Sequence, residues 1–200
     1  MTSLNATLNQ AGLDLLFNDA RSHNDFEPLA LDDKTLEAIY DLMKMAPTSA
    51  NCCPARLVFV RSEEAKARLA PMAMESNQPK ILNASACVII ANDMQFYDRI
   101  PELFPHDPSA RDWFAGSESF AAETALRNGS LQAAYFMMAV RAMGLDVGPI
   151  SGFDAAAVDA AFFPDGRFKS NMLCNIGRGK PDALFERLPR LAFDDACDII

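Results

Sequence analysis

The sequence predicts a mixed fold in which helices cover a central β-sheet, and three observations carry that prediction. The runs Arg56–Arg61 (R-L-V-F-V-R) and Ala86–Ala91 (A-C-V-I-I-A) are rich in β-branched residues and apolar on both faces, as strands inside a covered sheet are. Segments with apolar residues at three- and four-residue spacing alternate with them, which is the helical period. Half of the 200 residues are hydrophobic and 22% are charged. A chain of this length can therefore bury roughly 70% of the surface its unfolded form exposes. One domain spanning 1–200 is expected, and global disorder is excluded.

Leu4 to Asn18 holds Leu8, Leu15 and Leu16 at helical spacing and reads as a first helix. Asp32 or Asp33 then N-caps a second, because a side-chain oxygen there accepts from the unpaired N–H groups of the first turn. Leu36, Ile39, Tyr40, Met43 and Ala46 share its inner face, and Pro47 stops it. The strand Arg56–Arg61 follows, Ser62 caps a short helix to about Leu69, and Ala86–Ala91 is the second strand. Residues 93–116 carry Phe96, Tyr97, Phe104, Trp113 and Phe114 with little periodicity and read as a lid-like excursion containing a short helix. From Ser117 the helical period returns. Leu131, Ala134, Tyr135, Met138 and Ala142 are apolar nearly all round, which predicts a central buried helix stopped by Gly144. Asp154 caps Ala155 to Phe162, Pro164-Asp-Gly is a turn, and Asn171–Ile176 is a third strand. Gly177 to Ile200 is a tail. Its Leu184, Phe185, Leu188, Leu191, Phe193 and Ile199 must dock on something, with a second subunit as one candidate.

Eighteen Lys and Arg against 27 Asp and Glu give a net charge of −9, spread along the chain. That disfavours a nucleic-acid footprint. No run approaches the roughly 18 apolar residues of a membrane span, and the first 26 residues lack the pattern of a secretion signal. A cytoplasmic protein with no membrane partner is expected. Five cysteines, an odd number without C-x-x-C spacing, argue against a disulfide framework and against a zinc site, so no metal is expected.

Four stretches hold residues from which a site could be built. Asp19-Ala-Arg-Ser-His-Asn24 offers a guanidinium, a hydroxyl and an imidazole to one anion, although a solvated helix end would look the same. In Ala46-Pro-Thr-Ser-Ala-Asn-Cys-Cys-Pro-Ala55, Ser49 and Asn51 could bond a heteroaromatic edge or a polyol, or the stretch could be a bare turn. In Met143–Phe153, Gly148 and Gly152 would let backbone lie against a ligand with Pro149 fixing the path. Ile176-Gly-Arg-Gly-Lys is a glycine turn with two cations, but it is no P-loop, and no G-x-G-x-x-G opens a helix. Two histidines, no G-x-S-x-G elbow, and a Cys53 without a partner base leave nucleophilic catalysis unsupported.

In order and spacing these stretches resemble the FMN-dependent nitroreductase family, and most of all its malonic semialdehyde reductase branch. The resemblance runs through F-N-D-A-R-S-H-N, M-A-P-T-S-A-N-C-C-P-A-R, F-Y-D-R-I-P-E-L-F-P-H, E-T-A-L-R-N-G-S-L-Q-A-A-Y, G-L-D-V-G-P-I-S-G-F-D, K-S-N-M-L-C-N-I-G and R-L-P-R-L-A-F-D-D-A-C, almost the whole chain. It implies an α+β, nitroreductase-like sandwich forming an intertwined homodimer, with the flavin at the interface and a C-terminal arm from about residue 184 to 200 wrapping the partner. It further implies that Arg21 and Ser22, with His23 in place of a usual basic residue, hold the FMN phosphate and ribityl chain. Ser49 and Asn51 would meet the ribityl and ring. The backbone of Gly148, Pro149, Ile150, Ser151 and Gly152 would face the isoalloxazine, and Arg190, ahead of Arg178, would complete the phosphate clamp. One departure stands out: Asn51-Cys52-Cys53-Pro54-Ala55 replaces the family's usual Asn-x-Gln-Pro-Trp.

The activity implied is ping-pong hydride transfer from NADH or NADPH through FMN to a small acceptor, with no catalytic side chain because the cofactor carries the chemistry. By resemblance the acceptor is malonic semialdehyde, giving 3-hydroxypropionate, a step of pyrimidine degradation. The excursion's His106 and Arg111 are the candidates to hold its carboxylate, Arg111 alternatively pairing with Asp107 or Asp112. A broad nitroaromatic or quinone reductase is the alternative on the same scaffold. A flavin-free ligand-binding or scaffold protein is the alternative of another class.

Overall fold

The structure, a computed structural model, describes residues 6–200. Its sheet has five strands, all antiparallel: β1 (Phe26–Glu27), β2 (Ala55–Val60), β3 (Ala86–Asp93), β4 (Asp146–Ile150) and β5 (Phe168–Gly179). β5 is the long central strand. β3 lies along one side of it with β2 beyond, while the other side takes β4 against residues 173–177 and then β1 against 178–179.

All eight residues of β3 are buried, as a run apolar on both faces requires. Val88 and Ile90 face one layer of helix, and Cys87, Ile89 and Ala91 face the other. The first layer is α2 (Asp33–Met43), through Leu36, Ile39 and Met43, with α7 (Glu118–Ala142), through Ala133, Phe136, Ala139 and Val140. The second comprises α3 (Glu63–Leu69), α4 (Gln78–Asn83) and α8 (Ala155–Phe162), through Leu69, Ile81 and Val158. Each fully buried side chain of this size contributes about 1.5–3 kcal/mol of transfer free energy. A third cluster, Cys52, Phe96, Ile100, Ala110, Phe114, Ala121 and Ala125, packs the excursion onto the first turns of α7. There the chain forms α5 (Ile100–Leu103) and α6 (Arg111–Ala115) between short 3₁₀ turns.

Helix starts agree with their caps. Asp32, Ser62, Ser117 and Asp154 each accept a backbone N–H three residues on. Gly144, at φ +73°, ends α7 in the left-handed conformation expected of it. Other expectations need correction. The first helix is α1 (Gln10–Leu13) running into a π-helical turn, Asp14–Asn18; the expected start at Leu4 and Asn5 lies outside the described residues. β2 is an edge strand, mostly half-buried, because its second neighbour is absent from the chain's own pairing. α7 is buried on one face only, and Leu126, Leu131 and Tyr135 stand exposed on the other. β1, α4 and β4 are additions, and the third strand begins at Phe168 and continues to Gly179, shortening the tail. A last single turn is α9 (Phe193–Ala196). Among the described residues no helix is long and apolar enough to cross a membrane.

Candidate functional site

Residues 20–24 run beside β4, where Ser22 bridges Val147 in parallel and the His23 N–H donates to the Val147 carbonyl at 2.8 Å. Gly148 makes this approach possible: a Cβ there would lie 2.4 Å from the His23 carbonyl oxygen. The tail folds back onto the same segment. The Arg21 guanidinium donates to the Phe185 carbonyl, and Arg187 Nη2 donates to the carbonyls of Asn18 at 2.6 Å and Ala20 at 3.2 Å.

Between tail and segment lies a cavity of about 270 Å³ lined by Arg21, Ser22, Asn24, Arg141, Arg187 and Arg190, with Glu186 its one acid. Arg141 reaches it from the last turn of α7. Its Nη1 donates to the Leu16 carbonyl at 3.2 Å, its Nε is buried without a partner, and burial pulls its pKa below the usual guanidinium value. None of the four arginines has a carboxylate within 4.0 Å among the described residues. Converging cations of which one is partly desolvated and unpaired are costly, and a bound anion relieves that cost. A phosphate monoester fits this donor set: forked guanidiniums from three segments and a hydroxyl.

A larger cavity, about 840 Å³, lies by Phe26, Leu29, Lys66, Leu82 and Ser85. Its cations are matched, Lys66 with Glu63 at 2.9 Å, Arg61 with Asp33 at 2.8 Å and Lys180 with Asp25 at 2.7 Å, so it offers no comparable pull on an anion.

The second element of the site is the loop from Thr48 to Cys53. Ala50, Asn51 and Cys53 have φ of +49°, +49° and +40°. Side chains rarely adopt this conformation, at a cost of order 1–3 kcal/mol each and less for Asn. The loop exposes Ser49 and Asn51 and buries Cys52. Asn51 Nδ2 donates to the Leu103 carbonyl at 2.7 Å, tying the loop to α5. Burial pushes the Cys52 thiol up to about 12, which leaves it inert.

The structure thus brings Arg21, Ser22 and Arg190 together, and it adds Arg141 and Arg187. It sends other expected residues elsewhere. His23 is buried, its Nε2 3.2 Å from Asp146 Oδ1 and its ring on Gly179, so it does not line the cavity. Arg178 stands on β5 opposite Glu27 with 3.9 Å between their charged groups, away from the tail. Pro149 and Ser151 are exposed, Ile150 is buried, and Gly152 packs where a Cβ would meet Met74 Sδ at 2.6 Å. Both glycines of that stretch therefore serve close approaches within the chain. His106 lies tilted against Phe104, ring centres 3.8 Å apart and planes at 53°, and Arg111 pairs with Asp112 at 3.3 Å and Asp98 at 3.4 Å.

Arg187 stood three residues before Arg190 in R-L-P-R, and its spacing was the available signal. Arg141 carried none, because a cation in a last helical turn reads as a partner of the helix dipole. Within one chain the loop and the cavity stay apart. Asn128 of α7 holds Ser49, Arg141 of α7 lines the cavity, and the residues between them span about 20 Å of helix.

The sequence profile of the nitroreductase family matches residues 19–178. Solved structures share the fold. A Bacillus subtilis protein described as a nitroreductase is 25% identical, with 96% of this chain and 100% of that one covered and a TM-score of 0.84. One from Exiguobacterium sibiricum, described as a nitroreductase in complex with FMN, is 24% identical over 98% and 99%, with a TM-score of 0.86. One from Staphylococcus epidermidis, described as an NAD(P)H:FMN oxidoreductase, is 23% identical over 98% of each chain, with a TM-score of 0.83.

Proposed function

The chain belongs to the nitroreductase family, and from that premise we propose that it is an FMN-dependent oxidoreductase using NADH or NADPH. The observation that carries the proposal is the cavity of four arginines that have no carboxylate partner among the described residues, one of them with a buried Nε unpartnered there. Bound FMN would supply hydride transfer between the nicotinamide and an acceptor. Arg21, Arg187, Arg190 and Arg141 would hold its phosphate, Ser22 would donate to the same group, and the loop's Ser49 and Asn51 would meet the ribityl chain and ring.

Because cavity and loop stand apart in one chain, the complete site would combine two copies. The exposed Leu126, Leu131 and Tyr135 of α7 and the apolar tail, with Phe185, Leu188 and Leu191 each at least 73% exposed, support a homodimer that covers them. In this reading residues 1–200 form one FMN-binding domain, residues 93–116 are the lid and residues 184–200 the arm. The acceptor by resemblance is malonic semialdehyde, its carboxylate held by His106 or Arg111. The engagement of Arg111 with Asp98 and Asp112 favours instead an uncharged nitroaromatic or quinone acceptor, which is the second reading.

The test is the colour of the purified protein and the nucleotide it releases. A yellow protein that releases FMN and not FAD on denaturation is expected. A colourless one that takes up no added FMN would end the flavin reading and leave the flavin-free alternative.

A further inference from the structure

The strained loop contains no glycine, although glycine alone adopts its backbone conformation freely. Inside the loop the Cys53 N–H donates to Thr48 Oγ1 at 3.2 Å and the Asn51 N–H to the Thr48 carbonyl at 3.0 Å, and further hold comes from outside it. Two buried amides of α7, one turn apart, grip its two flanks. Asn128 Oδ1 accepts the Ser49 N–H at 2.8 Å, and Gln132 Oε1 accepts the Ala55 N–H at 2.9 Å. The residues are 1% and 3% exposed. Asn128 is itself oriented, because its Nδ2 donates to the Thr124 carbonyl one turn back at 2.8 Å. The helix is packed closely on the sheet beside the grip: a Cβ on Gly129 would fall 1.8 Å from Asn92 Oδ1 of β3, so helix and strand touch where the side chain is missing.

We infer that Asn128 and Gln132 are positioning residues of the flavin site, acting through the loop to hold Ser49 and Asn51 in the conformation that meets the cofactor. The inference rests on the flavin reading for what the loop binds, while the grip itself is independent of it. Pinning both flanks is what the strain requires. With either hydrogen bond gone, Ala50, Asn51 and Cys53 would relax toward ordinary backbone, and the loop would lose its tie to α5 through Asn51 and Leu103.

The experiment compares Gln132→Met, which removes the acceptor at similar volume, with Gln132→Glu, which keeps one. Each is read by FMN dissociation constant and by amide hydrogen exchange at Ser49 and Ala55. Gln132→Met is expected to weaken FMN binding by on the order of tenfold and to lose protection at Ala55. Gln132→Glu should restore both to within about threefold. A packing role would instead lower thermal stability in both variants and leave the FMN affinity of the folded protein unchanged. That result, or wild-type protection at Ala55 in the Met variant, would overturn the inference. Should Gln132→Met not fold, Gln132→Asn, which withdraws the acceptor by one methylene, takes its place with the same readings. Wild-type protein that takes up no FMN would overturn the flavin reading and with it the purpose assigned to the grip. That outcome is distinguishable, since exchange at Ser49 and Ala55 is measured without cofactor.

Discussion

Around the excursion the arginines have acids. Arg56 and Arg167 share the buried carboxylate of Asp93 at 2.8 and 2.9 Å, Arg99 grips Glu102, and Arg111 lies between Asp98 and Asp112. Around the cavity between tail and segment, Arg21, Arg141, Arg187 and Arg190 have none among the described residues, and donate to backbone carbonyls instead. Side chains of one type thus serve two ends. In the first region charge is neutralised within the chain and fastens loops to the sheet. In the second it stays in excess where segments distant in sequence meet, which is the arrangement an anionic ligand requires.

The largest effect should come from breaking the neutralised region at its centre. Asp93 is 1% exposed, and Asp93→Ala would leave two guanidiniums, each about a third exposed, without their shared acid, Arg167 keeping only Asp98 at 3.9 Å. A loss of about 3 kcal/mol in urea-unfolding free energy is expected, at the low end for buried pairs because both arginines touch solvent. Arg21→Ala should change stability by no more than about 0.5 kcal/mol, since it removes one of several like charges. Equal costs for the two substitutions would break the comparison.

Cofactor affinity should single out the arginines of the second region. Arg21→Ala and Arg187→Ala should each weaken FMN binding by about 1.5–3 kcal/mol, roughly ten- to a hundredfold. Arg178→Ala should leave it unchanged, because Arg178 stands opposite Glu27 on β5. Fluorescence titration at fixed ionic strength measures all three. An effect at Arg178 as large as at Arg21 would move the phosphate site to the β5 end.

What was legible in the sequence follows the range of the interaction concerned. Helix starts at Asp32, Ser62, Ser117 and Asp154 are local events, a side chain and an N–H three residues away, and they were readable. So was the burial of β3, since its residues are apolar on both faces. That β2 is an edge depends on pairings elsewhere in the chain, and no local pattern records it. β4 escaped as a strand because Gly148 and Pro149 are poor strand formers, tolerated where β5 pairs on one side and residues 20–24 crowd the other. That Arg21, Ser22 and Arg190 come together around one cavity accords with the motifs that singled them out. The inward turn of His23 was not readable, because it depends on Asp146 and Gly179, both far along the chain.

A smaller effect is expected at an ion pair outside both regions. Lys180 begins the tail, and its hydrogen bond to Asp25, with desolvation opposing and Asn83 assisting, holds the Asp25 carboxyl below its usual 3.8. A carboxyl depressed in the folded state stabilises at pH above its unfolded value, and that contribution is lost as pH falls through the folded value. The effect should be under about 1 kcal/mol, for a pair this exposed. It should appear as a difference between wild type and Asp25→Asn at pH 6 that closes below pH 3.8. A difference that persists unchanged in acid would mean that Asp25 acts through its hydrogen bonds to Asn83 and Phe26 and not through charge.

An equally small stability effect is expected at Arg111, and it bears on the acceptor. Arg111 is 42% exposed, its partners are at 3.3 and 3.4 Å, and its guanidinium lies 5.6 Å over the Tyr97 ring. Exposed pairs of this geometry contribute little, so Arg111→Ala should cost under about 0.5 kcal/mol of folding free energy. Its effect on turnover is then free of unfolding. If Arg111 belongs wholly to the neutralised region, kcat/KM for malonic semialdehyde and for an uncharged nitroaromatic should fall together and slightly, as the lid loosens. If the guanidinium leaves Asp98 and Asp112 for a substrate carboxylate, the acid aldehyde should lose tenfold or more and the neutral acceptor almost nothing, a charged hydrogen bond's share of transition-state binding. The second outcome would place an arginine in both classes, balanced within the chain at rest and given to the substrate in turnover. The weak, solvent-exposed geometry of its present pairs is what would make that exchange inexpensive.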